Sequence, residues 1–413
     1  MSSSSKLTRT SSHEFFHNAH LRYFKLALQM MPGHFKQFDQ QRLTLIYFVL
    51  SGLDSLSSID TALKESHQLE IIDYIYNHLL AEDGGFYLST TFNDMLEDSH
   101  ITATYSAILS LIILNDDLQG LKRMRILYEL RKFQDPKTGS VSCTPGGESD
   151  MRFMFCLFSI YYILQGDQIP NLKSVNIEKA VEFIKSCQTY EGGFAQLPGL
   201  EAHGGSTLCA VSCLKMAGVD IPKKNRLINF LVSKQTAHLG FEQENQHLES
   251  CGFRGRTNKI ADTCYTYWVG STLRLLNAND LIDKSSLENF LYDCQHKHPG
   301  GFSKHRDGCL PDPLHSSLSL QGGGNFDGIF SNQVQATVGN FSVSEYTNSK
   351  IGRLKFDENE PLYQPPRIIP DSPTKIKQKS KGMLKPMIKS LLPRNVQNGR
   401  SILVSIAIVI LAY

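Results

Sequence analysis

Apolar side chains recur at helical spacing along much of this chain. The clearest stripes consist of Ala103, Ala107, Leu111 and Leu114, and of Ala180, Phe183, Ile184 and Cys187. Steps of three and four residues place such side chains on one face of an α-helix. Alternating Val and Ile runs bounded by turn pairs, which are typical of strands, are lacking. The pattern therefore predicts an all-α protein.

A glycine-rich turn recurs between the predicted helices. Gly-Gly-Phe stands at residues 84–86, 192–194 and 300–302, with weaker copies at 138–140 and 239–241. The copies follow one another at a near-constant spacing, with their second glycines at Gly85, Gly139, Gly193, Gly240 and Gly301. A period of about 50 residues indicates supersecondary units that stack on one another. Each unit is predicted to be a helix, a glycine-rich turn and a second helix.

Helix pairs of this kind form either an extended superhelix or a closed α/α barrel. In a closed barrel the inner helices begin around one cavity, together with the loops that precede them. Polar side chains between each turn and the next inner helix would then face one another. Three such segments stand out, residues 201–207, 254–265 and 304–315.

Two of these segments contain residues that bind metals. Asp262 and Cys264 are two residues apart, so they converge only at the start of a helix, with Asp262 near the cap. His315, which opens the next helical stretch, is the natural third ligand. Three protein ligands leave the fourth position open, as in catalytic zinc sites. Taken alone, the pair also fits a helix-capping aspartate and a core cysteine.

The same segments are rich in hydrogen-bond donors. His203, Arg254, Arg256 and Lys259 precede predicted helix starts, which favours a polyanion site, although a solvated basic loop has the same composition. Phosphate-binding loops of the P-loop or dinucleotide type are absent, which excludes kinase and dehydrogenase functions of those types. Trp268 follows Cys264 by one helical turn and fits either the core or the wall of an apolar pocket.

The composition indicates a soluble globular protein of ordinary type. The 413 residues are 41% hydrophobic and carry a net charge of +2, which argues against a dedicated nucleic-acid-binding protein. Nine cysteines without a CxxC pair indicate a reducing compartment. The N-terminus has no apolar stretch of the signal-peptide type. We therefore expect a cytoplasmic protein.

The near-neutral net charge is the sum of an acidic and a basic region. Residues 1–350 carry −5 and residues 351–413 carry +7. We expect a disordered N-terminus over residues 1–13, a barrel domain over 14–325, and a flexible basic tail over 326–413. The apolar residues 401–413 are too few to span a bilayer, which takes about 20, so we expect no transmembrane helix. The tail is interpreted as solvated, with contact to an anionic membrane as the alternative.

Together, these segments resemble the β subunits of protein prenyltransferases over about residues 14–320. The matching motifs are Gly192-Gly-Phe194, Glu201-Ala-His-Gly-Gly205, Gly255-Arg-Thr-Asn-Lys259 and Asp262-Thr-Cys264-Tyr265 with Trp268. The resemblance implies an α/α barrel (toroid) that pairs with a helical-repeat α subunit. It also implies one zinc ion per β subunit, which binds the cysteine thiolate of a C-terminal CaaX sequence as it attacks C1 of an isoprenyl diphosphate.

The resemblance also implies residue roles. The zinc ligands would be Asp262, Cys264 and His315, and the diphosphate contacts His203, Arg256, Lys259 and Tyr265. The peptide end of the cavity would be lined by His100, Glu148 and Arg152, and the isoprenoid pocket by Trp268. The zinc ligands, Lys304 and Tyr265 would carry the catalytic roles.

Three positions favour a geranylgeranyl over a farnesyl substrate. Thr44 stands where the farnesyl enzymes have a tryptophan that closes the pocket, and Leu314 where they have tyrosine. Lys304 replaces an aspartate associated with Mg²⁺, so Mg²⁺ would not be required. The chain is most similar to the type I geranylgeranyl β subunits. The substrates implied are geranylgeranyl diphosphate and CaaX proteins, often ending in Leu, such as Rho/Rac-type small GTPases.

After His315 the sequence departs from the family. It continues as Ser316-Ser-Leu-Ser-Leu320 and Gln321-Gly-Gly-Gly324 and then becomes unfamiliar. This predicts a shortened last inner helix, a poorly supported His315 and an imperfectly closed barrel. A non-catalytic helical scaffold is therefore one alternative, and a farnesyl or Rab-type geranylgeranyl transferase β subunit is another.

Overall fold

The computed structural model describes most of the chain up to residue 364. The described residues are 14–29, 40–92, 98–170, 172, 174–236, 251–306, 309–338, 343–357 and 360–364. The expected disordered N-terminus and the basic and apolar parts of the tail lie outside them. Internal contacts divide the chain after Glu360.

Fourteen α-helices lie within the described part of the chain. They are α1 His17–Gln29, α2 Arg42–Ser55, α3 Ile59–Ala62, α4 Glu65–His78, α5 Ile101–Ile113, α6 Arg123–Glu129, α7 Met151–Ile163, α8 Ile177–Ser186, α9 Gly204–Met216, α10 Lys224–Val232, α11 Cys264–Leu275, α12 Lys284–Cys294, α13 Pro313–Gly323 and α14 Glu345–Ile351. Two short antiparallel strands, β1 Thr337–Val338 and β2 Val343–Ser344, pair with Thr337 opposite Ser344. The predicted all-α class is confirmed.

Six helices form a closed inner ring. Helices α2, α5, α7, α9, α11 and α13 pack in that order, and α13 packs back against α2. Outside them, α8, α10 and α12 pack on α9, α11 and α13, while α1 packs on α2. We call the end where the inner helices begin the mouth, and the end where they finish the base. The predicted α/α barrel is confirmed.

Burial separates the inner from the outer helices. Every residue of α5 is buried, so its predicted apolar stripe belongs to a helix covered on all sides. Outer helix α8 is truly amphipathic: Ala180, Phe183 and Ile184 are buried, whereas Glu182 and Lys185 are exposed. An inner helix must fill the space between two ring neighbours, which a single apolar stripe cannot do.

The predicted turns close each helix pair through a single antiparallel bridge. The bridged pairs are Leu80–Phe86, Gln134–Val141, Gln188–Phe194, Gln235–Phe253 and Gln295–Phe302. The fourth pair uses Phe253, not the predicted Phe241, which lies outside the described residues. More residues separate Gln235 from Phe253 than separate the partners of the other bridges, so the phenylalanine that closes this turn comes later in the sequence.

Glycine is required where these turns touch the next outer helix. Gly300 has a φ of +100°, and an added Cβ would lie 2.2 Å from the carbonyl oxygen of Ala19 on α1. Gly192 has a φ of +101°, and its Cβ would lie 2.5 Å from the backbone of Arg226 on α10. Both the backbone conformation and the close approach exclude other residues.

In the last four of these five turns, a glutamine side chain joins the turn to the start of another outer helix. The Oε1 atom of Gln134 accepts from the N–H of Asn176 at 2.8 Å, and that of Gln235 accepts from Asp283 at 2.9 Å. The Nε2 atom of Gln188 donates to the carbonyl of Pro222 at 2.8 Å. We call these contacts, with that of Gln295, the glutamine clasps.

The last clasp closes the ring onto the N-terminus. Gln295 Oε1 accepts from the N–H of Phe16 at 2.9 Å and contacts His20 Nε2 at 2.8 Å. His20 Nδ1 accepts from the N–H of Gly301 at 2.9 Å, and its ring stacks on Phe302 at 4.7 Å. Burial lowers the pKa of His20 to about 4, which keeps the ring neutral for these contacts.

The last inner helix is the shortest of the six, as expected, but the expectation of an imperfectly closed barrel is wrong. Helix α13 runs for 11 residues, all buried, and lies between α11 and α2. Its small residues permit a close approach, since a Cβ on Gly322 would lie 2.4 Å from the backbone nitrogen of Tyr267. The unfamiliar Ser and Gly residues therefore close the barrel instead of opening it.

The described residues between 343 and 360 pack on the base, although the sequence suggested a flexible tail from residue 326. Buried Asp54, near the end of α2, accepts from the hydroxyl of Thr347 at 2.9 Å and from the N–H of Ser344 at 3.3 Å. Arg123 forms an ion pair with Glu360 at 2.9 Å. These buried and half-buried contacts fix the segment along the ends of the inner helices.

Candidate metal centre and active site

Polar side chains cap the inner helices at the mouth. His100, Asp150, His203 and Asp312 are the N-caps of α5, α7, α9 and α13, and each accepts a hydrogen bond from a first-turn N–H. N-caps satisfy backbone donors that no helical carbonyl can reach. Because the ring is closed, these caps and the adjoining loops meet at one end of the barrel.

Asp262, Cys264 and His315 come together at this mouth. One ligand atom from each lies within 4.8 Å of the others, and all three residues are buried. Asp262 Oδ1 accepts from the N–H of Cys264 at 2.9 Å, so the aspartate caps the start of α11 as the sequence predicts. His315 reaches the pair because α13 is the ring neighbour of α11.

Asp312 orients His315. Its Oδ2 lies 2.6 Å from His315 Nδ1, while its Oδ1 accepts from the N–H of His315 at 2.9 Å. Burial acts to lower the pKa of His315, but the Asp312 and Asp262 carboxylates outweigh it and raise that pKa well above its usual value. A carboxylate on one ring nitrogen is the usual support of a histidine that ligates a metal through the other.

The three side chains fit a metal ion. His315 Nε2 is buried and has no hydrogen-bond partner within the described residues, while it lies 3.4 Å from Asp262 Oδ1. Burial, followed by the charge of Asp262, raises the pKa of the Cys264 thiol to about 12, so only a nearby cation would make it a thiolate. Carboxylate, thiolate and imidazole form a donor set that suits a tetrahedral zinc ion.

The predicted diphosphate residues His203 and Tyr265 are in direct contact. His203 Nδ1 accepts from the N–H of Gly205 at 3.0 Å, so its proton sits on Nε2, which lies 2.8 Å from the Tyr265 hydroxyl. Burial first, then Arg256 and Arg152, lower the pKa of His203 to about 3. The imidazole is therefore neutral and donates to the tyrosine oxygen.

The predicted cations border the same region with unequal exposure. The Arg256 side chain is 35% exposed and lies 3.8 Å from the Glu201 carboxylate, and Lys259 is exposed. Lys304 Nζ lies 3.6 Å from Asp262 Oδ2, which connects the cationic group to the candidate metal centre. An anion bound here would lie between flexible cations and fixed N–H and O–H donors.

The predicted peptide-end residues are also neighbours. Arg152 is buried, pairs tightly with Asp150 and lies 3.9 Å from the Glu148 carboxylate. Burial, followed by the charge of Arg152, lowers the pKa of His100 to about 4. At this end of the cavity, the charge of Arg152 is therefore balanced by Asp150, and the His100 imidazole is neutral.

The predicted isoprenoid residues are buried and lie on three different inner helices. Thr44 is on α2, Trp268 on α11 and Leu314 on α13. The ring of Trp268 packs at 4.8 Å against that of Tyr267. That these side chains line one pocket stays a prediction.

Sequence reasoning missed Asp150, Asp312 and the glutamine clasps. Asp312 had a readable signal, because Asp-Pro before an apolar run is a typical helix start. The glutamines also have a regular position, at the start of each turn after the first. Their partners lie in the next repeat or at the N-terminus, and no local pattern indicates such contacts.

Comparison with known proteins agrees with this geometry. The family described as "Prenyltransferase alpha-alpha toroid domain" matches residues 15–329. The chain belongs to this family. The barrel, its repeated turns and the caps at its mouth are thus features of a prenyltransferase toroid.

Two relatives match most of this chain. The geranylgeranyl transferase type-1 subunit beta of Dictyostelium discoideum is 36% identical over 73% of this chain and 88% of its own length. Its Arabidopsis thaliana counterpart is 33% identical over 74% of this chain and 83% of its own length. The resemblance to type I geranylgeranyl β subunits is confirmed.

A solved structure confirms the fold. The Candida albicans protein geranylgeranyltransferase-I complexed with GGPP superposes with a TM-score of 0.74 at 22% identity, covering 83% of this toroid chain and all of that one. Within the described residues, no helix of the toroid has the length and apolar character needed to cross a membrane.

Asp312 provides a test of the candidate metal centre. Asp312→Asn leaves one oxygen for two hydrogen bonds, so we expect His315 to lose its orientation and Co²⁺ affinity to fall about 10–100-fold. The absorption of bound Co²⁺ in the purified full-length protein measures this, and Cys264→Ala should abolish the signal.

The control is Asp283→Asn, which alters the N-cap of outer helix α12. It should leave Co²⁺ affinity unchanged. Equal affinities of the two Asn variants would show that Asp312 acts only as a helix cap.

Proposed function

We propose that this chain is the catalytic β subunit of a heterodimeric protein geranylgeranyltransferase type I. It would transfer a geranylgeranyl group from geranylgeranyl diphosphate to the cysteine of a C-terminal CaaX sequence. The observation that carries the proposal is the buried Asp262–Cys264–His315 group beside a cluster of anion-binding donors. The names of the two type I relatives support the prenyl group.

The metal proposed is zinc. Asp262, Cys264 and His315 would hold it, and when bound it would supply charge that keeps the substrate cysteine as a thiolate near neutral pH. Asp312 holds His315 in the orientation that directs Nε2 toward the other two ligands. Burial of all three residues limits competition from water for these ligand atoms.

The diphosphate would bind at the cationic side of the mouth. Arg256 and Lys259 would supply charge, while Tyr265, held by neutral His203, would supply an oriented hydroxyl. In the transfer, the thiolate sulfur forms a bond to C1 as the C1–oxygen bond breaks and negative charge grows on the diphosphate. Donors fixed before the reaction stabilise that charge most effectively.

The isoprenoid length would be set by three side chains. Thr44 is small and buried, which leaves room for one more isoprene unit than a tryptophan would. Leu314 adjoins the ligand His315. Lys304, 3.6 Å from the Asp262 carboxylate, would neutralise the diphosphate directly, so Mg²⁺ would not be needed.

The proposed partner is a prenyltransferase α subunit, and the substrates are CaaX proteins ending in Leu, such as Rho/Rac-type small GTPases. The net charge of −5 on residues 1–350 suits sequences with basic residues before the CaaX box. All nine cysteines lie in the described part of the chain and none is disulfide-bonded, in agreement with a reducing compartment.

The decisive experiment is a transfer assay on the chain co-expressed with an α subunit. Peptides ending in Leu or Ser are each combined with geranylgeranyl or farnesyl diphosphate. We expect the highest kcat/KM for the Leu peptide with the geranylgeranyl donor. Preference for the farnesyl donor and the Ser peptide would identify a farnesyl enzyme.

The same assay separates two further alternatives. A Rab-type enzyme would leave both short peptides unmodified. A scaffold would bind the α subunit yet lack both metal and transfer activity.

Lys304→Asp tests the proposed replacement of Mg²⁺. The substitution removes a cation beside the diphosphate and adds a carboxylate that binds hard cations. We expect kcat to fall without Mg²⁺ and to recover at least about tenfold with millimolar Mg²⁺. Lys304→Ala should show the loss without the recovery. A Lys304→Asp rate indifferent to Mg²⁺ would contradict the role.

A further inference from the structure

A buried lysine beside the mouth has no part in the chemistry described so far. Lys234 follows helix α10 by two residues and is 2% exposed. Its ammonium lies 4.2 Å from the centre of the Phe230 ring and donates to Thr257 Oγ1 at 2.9 Å. Burial lowers the pKa of Lys234, against the opposing charge of Glu191. Lysine is almost never fully buried, so the fold bears a cost for keeping this cation here.

Thr257 belongs to the loop that carries two of the proposed diphosphate contacts. This loop, residues 254–262, connects the fourth turn to α11. Arg256 and Lys259 lie on either side of Thr257. The N–H of Lys259 donates to the carbonyl of Arg256 at 3.4 Å, so residues 256–259 form a turn at the tip of the loop. Thr257 is exposed at this tip, whereas the ammonium that holds it is buried.

Backbone hydrogen bonds fix the ends of the loop. The N–H of Asp262 donates to the carbonyl of Phe253 at 2.9 Å, which joins the two ends. The N–H of Gly204, at the start of α9, donates to the carbonyl of Gly255 at 2.9 Å. These contacts hold the loop where it leaves and rejoins the barrel, and the tip needs a contact of its own.

The tip has two contacts with the rest of the described barrel. One is the Lys234–Thr257 hydrogen bond, and the other is the 3.8 Å approach of Arg256 to the Glu201 carboxylate. The Arg256 and Glu201 side chains are 35% and 53% exposed, and exposed pairs contribute little to order. The hydrogen bond from Lys234 is charge-assisted and starts from a side chain that is already held by packing. It is therefore the stronger restraint on the tip.

We infer that Lys234 is a positioning residue for the diphosphate. Through Thr257 it holds the tip of the loop, so the two cations of the tip are in place before the anion binds. The inference rests on the proposed function, because it concerns the diphosphate of that reaction. A loop that is ordered in advance loses less conformational entropy on binding, and fixed donors stabilise growing charge better than mobile ones.

Binding of inorganic diphosphate to the chain co-expressed with an α subunit tests the inference. Lys234→Met keeps an unbranched side chain but removes the charged donor, and Thr257→Val keeps the shape but removes the acceptor. We expect each to lower the diphosphate affinity measured by calorimetry about tenfold. The double variant should bind no more weakly than either single variant, because all three break the same contact. Lys234→Arg, which retains a charged donor, should recover most of the affinity.

Kinetics and hydrogen exchange separate positioning from a general loss of structure. In both single variants the KM for geranylgeranyl diphosphate should rise about tenfold, while the KM for a CaaX peptide stays unchanged. Amide exchange in residues 254–262 should become faster. The matched control is Lys132→Met, which removes a half-buried lysine that pairs with Asp83 at 2.7 Å. It should lower stability and leave both the diphosphate affinity and the exchange of 254–262 unchanged.

The outcomes distinguish this inference from the proposed function. Unchanged diphosphate affinity in Lys234→Met, or a loss in that variant with none in Thr257→Val, would overturn the positioning role. Unchanged exchange of residues 254–262 in both variants would also overturn it. A wild-type protein that bound neither inorganic diphosphate nor geranylgeranyl diphosphate would instead contradict the proposed function, and the diphosphate role of Lys234 with it.

Discussion

The closure of the helix ring by the last glutamine clasp is the constraint on which the rest of the molecule depends. Gln295 ties the final turn to Phe16 and His20, and His20 in turn holds Gly301 and stacks on Phe302. The N–H of Phe302 then donates to Ser316, beside the candidate ligand His315. A continuous set of contacts thus connects ring closure to the candidate metal centre.

Closure of the ring also explains why the candidate site residues lie together at the mouth of the barrel. Six inner helices begin at the mouth, so their N-caps and preceding loops converge there. Helix starts favour anions and capping side chains. The same geometry therefore brings a buried acid–thiol–imidazole group and a set of cationic and hydrogen-bonding side chains to the same end. Burial lowers the pKa of His203 and keeps its imidazole neutral. The ring therefore orients the Tyr265 hydroxyl by a hydrogen bond and adds no positive charge to the site.

The sequence predicted the repeat, the all-α class and the helix start at Asp262 and Cys264 because each has a local signature. Glycines at a regular period mark the turns, and Asp262 with Cys264 marks a helix start. It failed where the cause is distant in sequence. The Ser and Gly residues after His315 suggested an imperfectly closed barrel, yet they permit α13 to approach α11 closely. Asp54, which fixes residues 343–351, gave no signal, since its partners lie near the other end of the described chain.

The most direct test compares Gln295→Ala with Gln134→Ala, which breaks the equivalent clasp at an earlier turn. Each should lower the free energy of unfolding by about 2 kcal/mol, from the lost hydrogen bonds. If ring closure supports the centre, Co²⁺ affinity should fall at least about tenfold in Gln295→Ala and stay unchanged in Gln134→Ala. Equal Co²⁺ affinities in the two variants would contradict the account.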